Sequence, residues 1–271
     1  MKDIEIPFES LKEAVVQGHR NKCNELVLSG GEPTLYSEYI IELISLALTL
    51  GYKKYIIQTN GYGLSKCGEL VSFLDHVAET TEVCLSFSVH SHIADIHNDL
   101  SGNPDAFGSL IDAIDKVSKT HCRIYTNTVI NARNLPHLND VAALLMPYKP
   151  DIMQFSMMHL KERSELSVSV EDSVRAIRKL KDIVGPDILK TEGVPYCLLH
   201  GMESCVGESA WPAVLDLYNR DNEYMSDFKQ LDHGMRSKME SCDKCIMDKI
   251  CMGVWKEHFE EFSNMGIHPI G

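Results

Sequence analysis

What this sequence lacks narrows the reading before any motif is considered. No apolar run approaches the ~18 residues that a membrane helix needs, so neither a membrane span nor a membrane partner is expected. The opening stretch, MKDIEIPFESLKEAV, has no apolar core followed by a small-residue cleavage site, so the cytoplasm is the expected compartment. Positive charge is scarce: 26 Lys and Arg against 39 Asp and Glu give a net charge of −13. Counterion release then has the wrong sign for non-specific nucleic-acid binding, and no nucleic-acid partner is expected. There is no fixed-period repeat, no low-complexity tract and no hairpin signal between strands. The nine cysteines are an odd number, unevenly spaced, which argues against a disulfide framework.

What is present is ordinary globular material, 44% hydrophobic and 24% charged over 271 residues. Phe8, Leu11 and Val15 give a short helical face. Glu25 to Ser29 reads as a strand closing on Gly30-Gly31. Tyr36, Tyr39, Ile40, Leu43, Ile44 and Ala47 then follow at helical spacing, with Gly51 placed to end that helix in the left-handed conformation. Tyr55 to Ile57, Val83 to Val89, Ile124 to Ile130 and Ile152 to Met157 read as further strands. Helices follow over Phe107–Val117, Leu135–Leu145 and from Ser169, whose partner Asp172 completes a capping box, to about Val184.

Strands that alternate with helices imply parallel pairing through right-handed crossovers. Two closures remain open, a full or partial barrel and an open doubly wound sheet. Ser86, Ser88 and His90 share one strand face, and Arg123, Tyr125, Asn127 and Asn131 share another. Adjacent polar faces favour a lumen that holds a ligand over a packed aliphatic core. Residues 1–185 are therefore expected to form the α/β unit. Residues 186–271, where the pattern weakens and the late cysteines gather, form an irregular extension packed against it.

Three segments fall at the C-terminal ends of consecutive strands, where α/β barrels place their active sites. The first is Leu28-Ser29-Gly30-Gly31-Glu32-Pro33-Thr34-Leu35. Paired glycines let the backbone approach a ligand and take positive φ. Glu32 can accept hydrogen bonds from an amino group, and Pro33 fixes the exit into the next helix. A bare structural turn or a phosphate site is the alternative, but an adjacent carboxylate favours a cationic ligand group. The second segment is Gln58-Thr59-Asn60-Gly61, and the third is Ser86 to Ser91.

A fourth motif, Cys242-x₂-Cys245-x₅-Cys251, places three thiols in ten residues, a spacing that lets a tight loop converge them on a metal or cluster. Zinc held by three or four thiolates is one occupant.

This series resembles the radical S-adenosylmethionine superfamily. Gly30-Gly31-Glu32-Pro33 is similar to that family's second-strand motif, Thr59-Asn60-Gly61 to its third-strand segment and Ser88-Val89-His90 to its fourth-strand segment. Ile93 to Phe107 resembles the loop that leads from the fourth strand into a helix. The resemblance covers about residues 5 to 160. It implies a partial (βα)₆-type barrel that binds S-adenosylmethionine, with Gly30, Gly31, Glu32 and Pro33 at the methionine moiety and Thr59, Asn60 and Ser88 near the remainder. It also implies reductive cleavage of that cofactor with an external electron donor, followed by radical modification of a peptide or small-molecule substrate.

The departure is that the family's Cys-x₃-Cys-x₂-Cys occurs nowhere in the chain, and Cys23 alone precedes Gly30. The first barrel strand and its cluster loop are therefore expected to be missing, and truncation is favoured over natural loss because an unpaired apolar edge invites aggregation. The C-terminal cysteines resemble the SPASM/twitch extensions of the same superfamily. That implies an auxiliary [4Fe–4S] cluster on Cys242, Cys245 and Cys251, with Cys197 as the fourth ligand and Cys205 second in line. The competing expectation is a non-catalytic barrel protein with a structural zinc or iron–sulfur site.

The remaining features are read blandly. His92 and His97, with Asp95 and Asp99, belong to a polar loop in solvated or capping roles, while His90 points toward the cofactor end. Met153, Met157 and Met158 are core filler. Cys23, Cys67, Cys84 and Cys122 are small buried hydrophobes.

Overall fold

The computed structural model describes residues 6–159, 164–210, 217–218, 224–225, 234–267 and 270–271. Its main sheet has six strands in the order β1-β2-β3-β4-β5-β6, with helices between them. The strands are β1 (Glu25–Leu28), β2 (Lys54–Thr59), β3 (Glu82–Ser88), β4 (Arg123–Ile130), β5 (Ile152–Met157) and β6 (Leu189–Glu192). Strand order equals chain order, and the pairings β1–β2, β2–β3, β4–β5 and β5–β6 are parallel. In that order β1 and β6 are the end strands, and no pairing between them is found among the described residues: the barrel is partial, not closed. β1 pairs with β2 alone, and its Val27 stays 39% exposed. By contact density the chain divides into two units.

The first unit comprises residues 1–88, 105–124 and 212–230. It holds β1 to β3 and the helices α1 (Phe8–Arg20), α2 (Ser37–Leu50), α3 (Tyr62–Lys66), α4 (Gly68–Ala78) and α6 (Ala106–Val117). α2 buries Ile40, Leu43, Ile44 and Ala47, the face expected from its spacing. Each fully buried Leu or Ile of this kind stabilises the fold by roughly 1.5–3 kcal/mol. Gly51 ends the helix at φ 90°. Its N–H reaches Leu48 O and that of Tyr52 reaches Ala47 O, both at 3.0 Å, which satisfies carbonyls the helix leaves open. The helices α3 and α4 lie in a stretch for which sequence patterning assigned nothing. The signal was present, since Leu70, Leu74 and Val77 follow i, i+4, i+7 and are buried.

The second unit comprises residues 89–104, 125–211 and 231–271. It holds α5 (Ala94–Ser101), most of β4, β5, α7 (Leu138–Leu145), α8 (Val170–Val184) and β6. Ser169 caps α8 by accepting from Asp172 N at 3.0 Å, as the capping-box reading requires. Met153 and Met157 are core residues and Met158 is half-buried. The supposed polar loop after β3 is instead helical over α5, and His97 on it is 1% exposed. A solvated role for His97 is therefore corrected: its ring fills space between turns of the chain. Of the four scattered cysteines, Cys84 and Cys122 are buried while Cys23 and Cys67 are only half-buried.

Short 3₁₀ turns follow β6 over Tyr196–Leu198, Glu203–Cys205 and Gly207–Ala210, and the C-terminal part holds a two-stranded antiparallel pair, β9 (Arg236–Ser237) with β10 (Val254–Trp255), and a last helix, α9 (Phe259–Asn264). Between β6 and β9 in the chain comes another antiparallel pair of the same length, β7 (Leu217–Tyr218) with β8 (Tyr224–Met225). Arg236 anchors the C-terminal segment. Its guanidinium donates to Glu208 Oε1 at 2.9 Å with both side chains almost fully buried, and it stacks over the Trp255 ring at 3.8 Å. Glu208 Oε1 also accepts the Gly193 N–H at 2.7 Å, so the ion pair holds the turn that leaves β6.

Candidate functional site

The glycine-rich turn after β1 is built around one carboxylate. Glu32 Oε1 accepts from Thr34 N at 3.0 Å and from Thr59 Oγ1 at 2.7 Å, and it also takes a short hydrogen bond from the Thr34 hydroxyl. Glu32 Oε2 accepts from Asn60 N at 2.6 Å. Glu32 thus caps the 3₁₀ turn Pro33–Leu35, with Pro33 at its first position, and at the same time clamps the end of β2. Sequence reasoning assigned Glu32 to a ligand; the structure adds that most of its acceptor capacity serves the protein. A carboxylate offers about four lone-pair sites. Oε2, which takes one protein donor, retains capacity for a donor from outside.

The neighbouring turn is equally specified. Thr59 Oγ1 accepts from Gly61 N at 2.9 Å, and Asn60 Oδ1 accepts from Tyr62 N at 2.9 Å. Gly63 lies where a Cβ would stand 2.2 Å from the Thr34 carbonyl oxygen, so only glycine lets α3 close on the Glu32 turn. Gly30 and Gly31 differ: they have φ of 93° and 58° but nothing within 4 Å of a Cβ. Their conformation demands glycine, and the space beside them is open to a ligand. Thr59 pairs with Phe87 across the sheet, so Ser88 comes one step past that pairing at the end of β3. Gly30, Gly31, Glu32, Pro33, Thr59, Asn60 and Ser88 therefore all lie at or just past the C-terminal ends of three consecutive parallel strands, within one unit.

The second unit carries a polar cluster that sequence reasoning missed in part. Asn127, expected on a polar face, lies with its Oδ1 2.8 Å from Ser156 Oγ. That hydroxyl is also 2.9 Å from Glu192 Oε2, which accepts from Gln154 Nε2 at 3.0 Å. Glu192 is the last residue of β6, the end of a parallel strand where catalytic groups gather. The available signal was a carboxylate closing a short strand, Leu-Lys-Thr-Glu, in which Leu189 and Thr191 are the buried positions.

His90 lies on the segment after β3 with its side chain half-buried. Its N–H donates to His97 Nδ1 at 3.2 Å, and the two rings stand 5.2 Å apart. Burial, with His90 beside it, lowers the His97 imidazole to about 4; burial also lowers His90.

The late cysteines share a pocket. Cys197, Cys242, Cys245 and Cys251 all line it, together with Tyr196 and Phe262. Tight turns place them: Cys245 N donates to Cys242 O at 2.9 Å, and Cys251 N to Met247 O at 2.8 Å. Lys238 Nζ braces the loop through Asp248 O at 2.6 Å and Asp248 Oδ1 at 2.9 Å. Gly253 is required there, because a Cβ would meet Ser237 O at 2.3 Å. Burial, then the charges of Cys251, Cys242 and Cys245, push the Cys197 thiol up to about 12. A cation bound among them would reverse that cost, because coordination deprotonates a thiol outright. The four thiols line one pocket, but no three of their Sγ atoms lie within 4.8 Å of one another, a spacing wider than a zinc ion's ligands and suited to a larger group such as a cluster. Cys205, the second choice for fourth ligand, is buried with its Sγ 3.8 Å from Pro186 O and does not line this pocket.

A comparison with curated proteins returns no match. Among solved structures the chain is similar to native anSMEcpe with bound AdoMet and Kp18Cys peptide, at 17% identity and a TM-score of 0.62 over 94% of this chain and 86% of that one. It is also similar to Streptococcus suis SuiB bound to S-adenosylmethionine, at 16% identity and a TM-score of 0.60 over 92% of this chain and 66% of that one. At such identities the likeness concerns the fold. The family model described as the Radical SAM superfamily matches residues 2–145, more than half the chain, and the chain belongs to that superfamily of enzymes.

Proposed function

We propose that this chain binds S-adenosylmethionine at the Glu32 turn, carries an auxiliary [4Fe–4S] cluster at the cysteine pocket, and acts in the radical modification of a peptide. The observation that carries the reading is Glu32 Oε2, held by Asn60 N at 2.6 Å beside two glycines with open space around them. An ammonium group entering there meets a carboxylate already fixed in position, so little ordering cost is added on binding. Asn60 and Ser88 lie along the same strand ends to take the rest of the cofactor, while Thr59, expected beside them, is buried and serves by holding Glu32. The superfamily relationship and the peptides bound in similar structures favour a peptide over a small molecule.

S-adenosylmethionine supplies the radical chemistry of this superfamily when a reducing cluster is bound beside it. The chain has no Cys-x₃-Cys-x₂-Cys, so its residues do not fit that second group. The chain's own part is to bind and orient: Glu32 fixes the amino end, and the glycine pair admits it.

The test is anaerobic. Reconstituted protein should hold about four irons and four sulfides per chain, falling when Cys242 or Cys197 is changed to serine. Calorimetry should show S-adenosylmethionine binding that Glu32→Gln weakens. With a strong reductant this chain alone should release no 5′-deoxyadenosine. Zinc without sulfide would overturn the cluster, and binding unaffected by Glu32→Gln would overturn the cofactor site.

A further inference from the structure

A second cluster of ligand-type side chains lies apart from both sites in its chemistry. His92 sits between β3 and α5, and His137 and Asp140 stand at the start of α7. One donor atom from each lies within 4.8 Å of the other two, the one set of three of this kind among the described residues. His137 Nδ1 is 3.6 Å from Asp140 Oδ2, because i, i+3 spacing at a helix start puts both on one face. The His92 and His137 rings meet at 5.3 Å with a 59° tilt.

An independent observation points to a ligand. His92 Nδ1 is shut off from solvent and has no hydrogen-bond partner. Leaving a buried ring nitrogen unpaired costs roughly 1–3 kcal/mol, and native structures resolve such cases with a water or an ion. We propose that His92, His137 and Asp140 form a binding site for a divalent metal ion of the zinc class. Two neutral imidazoles and one carboxylate suit such an ion and leave at least one position open. Ligand atoms about 2.0–2.1 Å from a tetrahedral zinc are about 3.3 Å from one another. The His137–Asp140 pair at 3.6 Å is already close to that. Asp140 is exposed and both histidines are half-buried, so an ion reaches the site from solvent. The site does not depend on the proposed function, since its nitrogen and oxygen donors are separate from the thiols.

The test uses the full chain with zinc ion alone, followed by equilibrium dialysis and by long-range proton–nitrogen NMR of the histidine rings. The expected result is a zinc equivalent that persists in Cys242→Ser and is weakened on the order of tenfold or more by Asp140→Asn or His137→Gln. Second-sphere changes alone cost 10–100-fold at zinc sites. The ring nitrogens of His92 and His137 should shift as that equivalent binds. Asp140 is exposed, so Asp140→Asn leaves folding intact and keeps the test decisive. Zinc binding unchanged in Asp140→Asn, or ring signals of His92 and His137 that do not move, would overturn the proposal.

Discussion

The backbone N–H of Asn60 donates to Glu32 Oε2 at 2.6 Å, and this one bond ties the loop after β2 to the loop after β1. Thr59 Oγ1 adds a second tie at 2.7 Å to the other carboxylate oxygen. Replacing Glu32 by glutamine keeps the shape but turns one acceptor into a donor facing a donor. Leaving such a group unpaired costs about 1 kcal/mol here, the low end of the range, because Glu32 is half-buried and Asn60 exposed. Glu32→Gln should therefore lower the urea midpoint by a measurable amount and also weaken S-adenosylmethionine binding. A loss of binding with no loss of stability would show that the clamp is not what holds the turn.

Gly63 and Gly108 make a matched test of close approach. A Cβ at Gly63 would stand 2.2 Å from Thr34 O, which is backbone and cannot step aside, whereas Gly108 on α6 is exposed with nothing within 4 Å. Overpacking of this kind costs roughly 1–3 kcal/mol and occasionally more. Gly63→Ala should lower stability by at least that much. Gly108→Ala should raise it by about 0.5–1 kcal/mol, because helix interiors favour alanine. Equal effects in chemical denaturation would contradict the packing described.

Acid should weaken the fold in a defined window. The His97 imidazole is lowered from 6.5 to about 4, first by burial and then by His90. The unfolded chain therefore takes up a proton that the folded chain refuses. Stability is whole above pH 6.5 and falls as pH drops toward 4, by about 3 kcal/mol from this group. Burial of His90 acts in the same direction. Denaturation curves at pH 7 and pH 5 should show the loss, and His97→Gln should reduce it. A slope unchanged by His97→Gln would remove His97 as its source.

The Glu208–Arg236 pair should be costly to break from one side. Both side chains are almost fully buried, and Glu208 also holds Gly193 N. Removing one partner leaves an uncompensated buried charge, worth about 3–5 kcal/mol. Arg236→Ala also removes one of the groups stacked on Trp255, the other being the His159 ring. Thermal unfolding followed by tryptophan fluorescence should show the loss, and the double change Arg236→Met, Glu208→Met should recover part of it.

Much of this architecture was legible one residue at a time. Apolar spacing marks α2, α6 and α8, Gly51 marks an end, and Ser169 with Asp172 marks a beginning, because these signals act over three or four residues. α5 was read as a loop because its exposed face carries Asp95, Asn98 and Asp99, while His97 supplies the buried side. β6 was missed because four residues between turns carry too little pattern.

By itself the sequence determined the parallel α/β order, the three turns at the strand ends and the crowding of Cys242, Cys245 and Cys251. Each follows from local periodicity or from spacing along the chain. Tertiary structure alone decided that Asn60 and Thr59 occupy the Glu32 carboxylate, that Cys197 faces the late cysteines while Cys205 does not, and that His92 meets His137 and Asp140. These pairs are far apart in the chain, and only the stacking of strands in register and the packing of helices on them brings the side chains within reach.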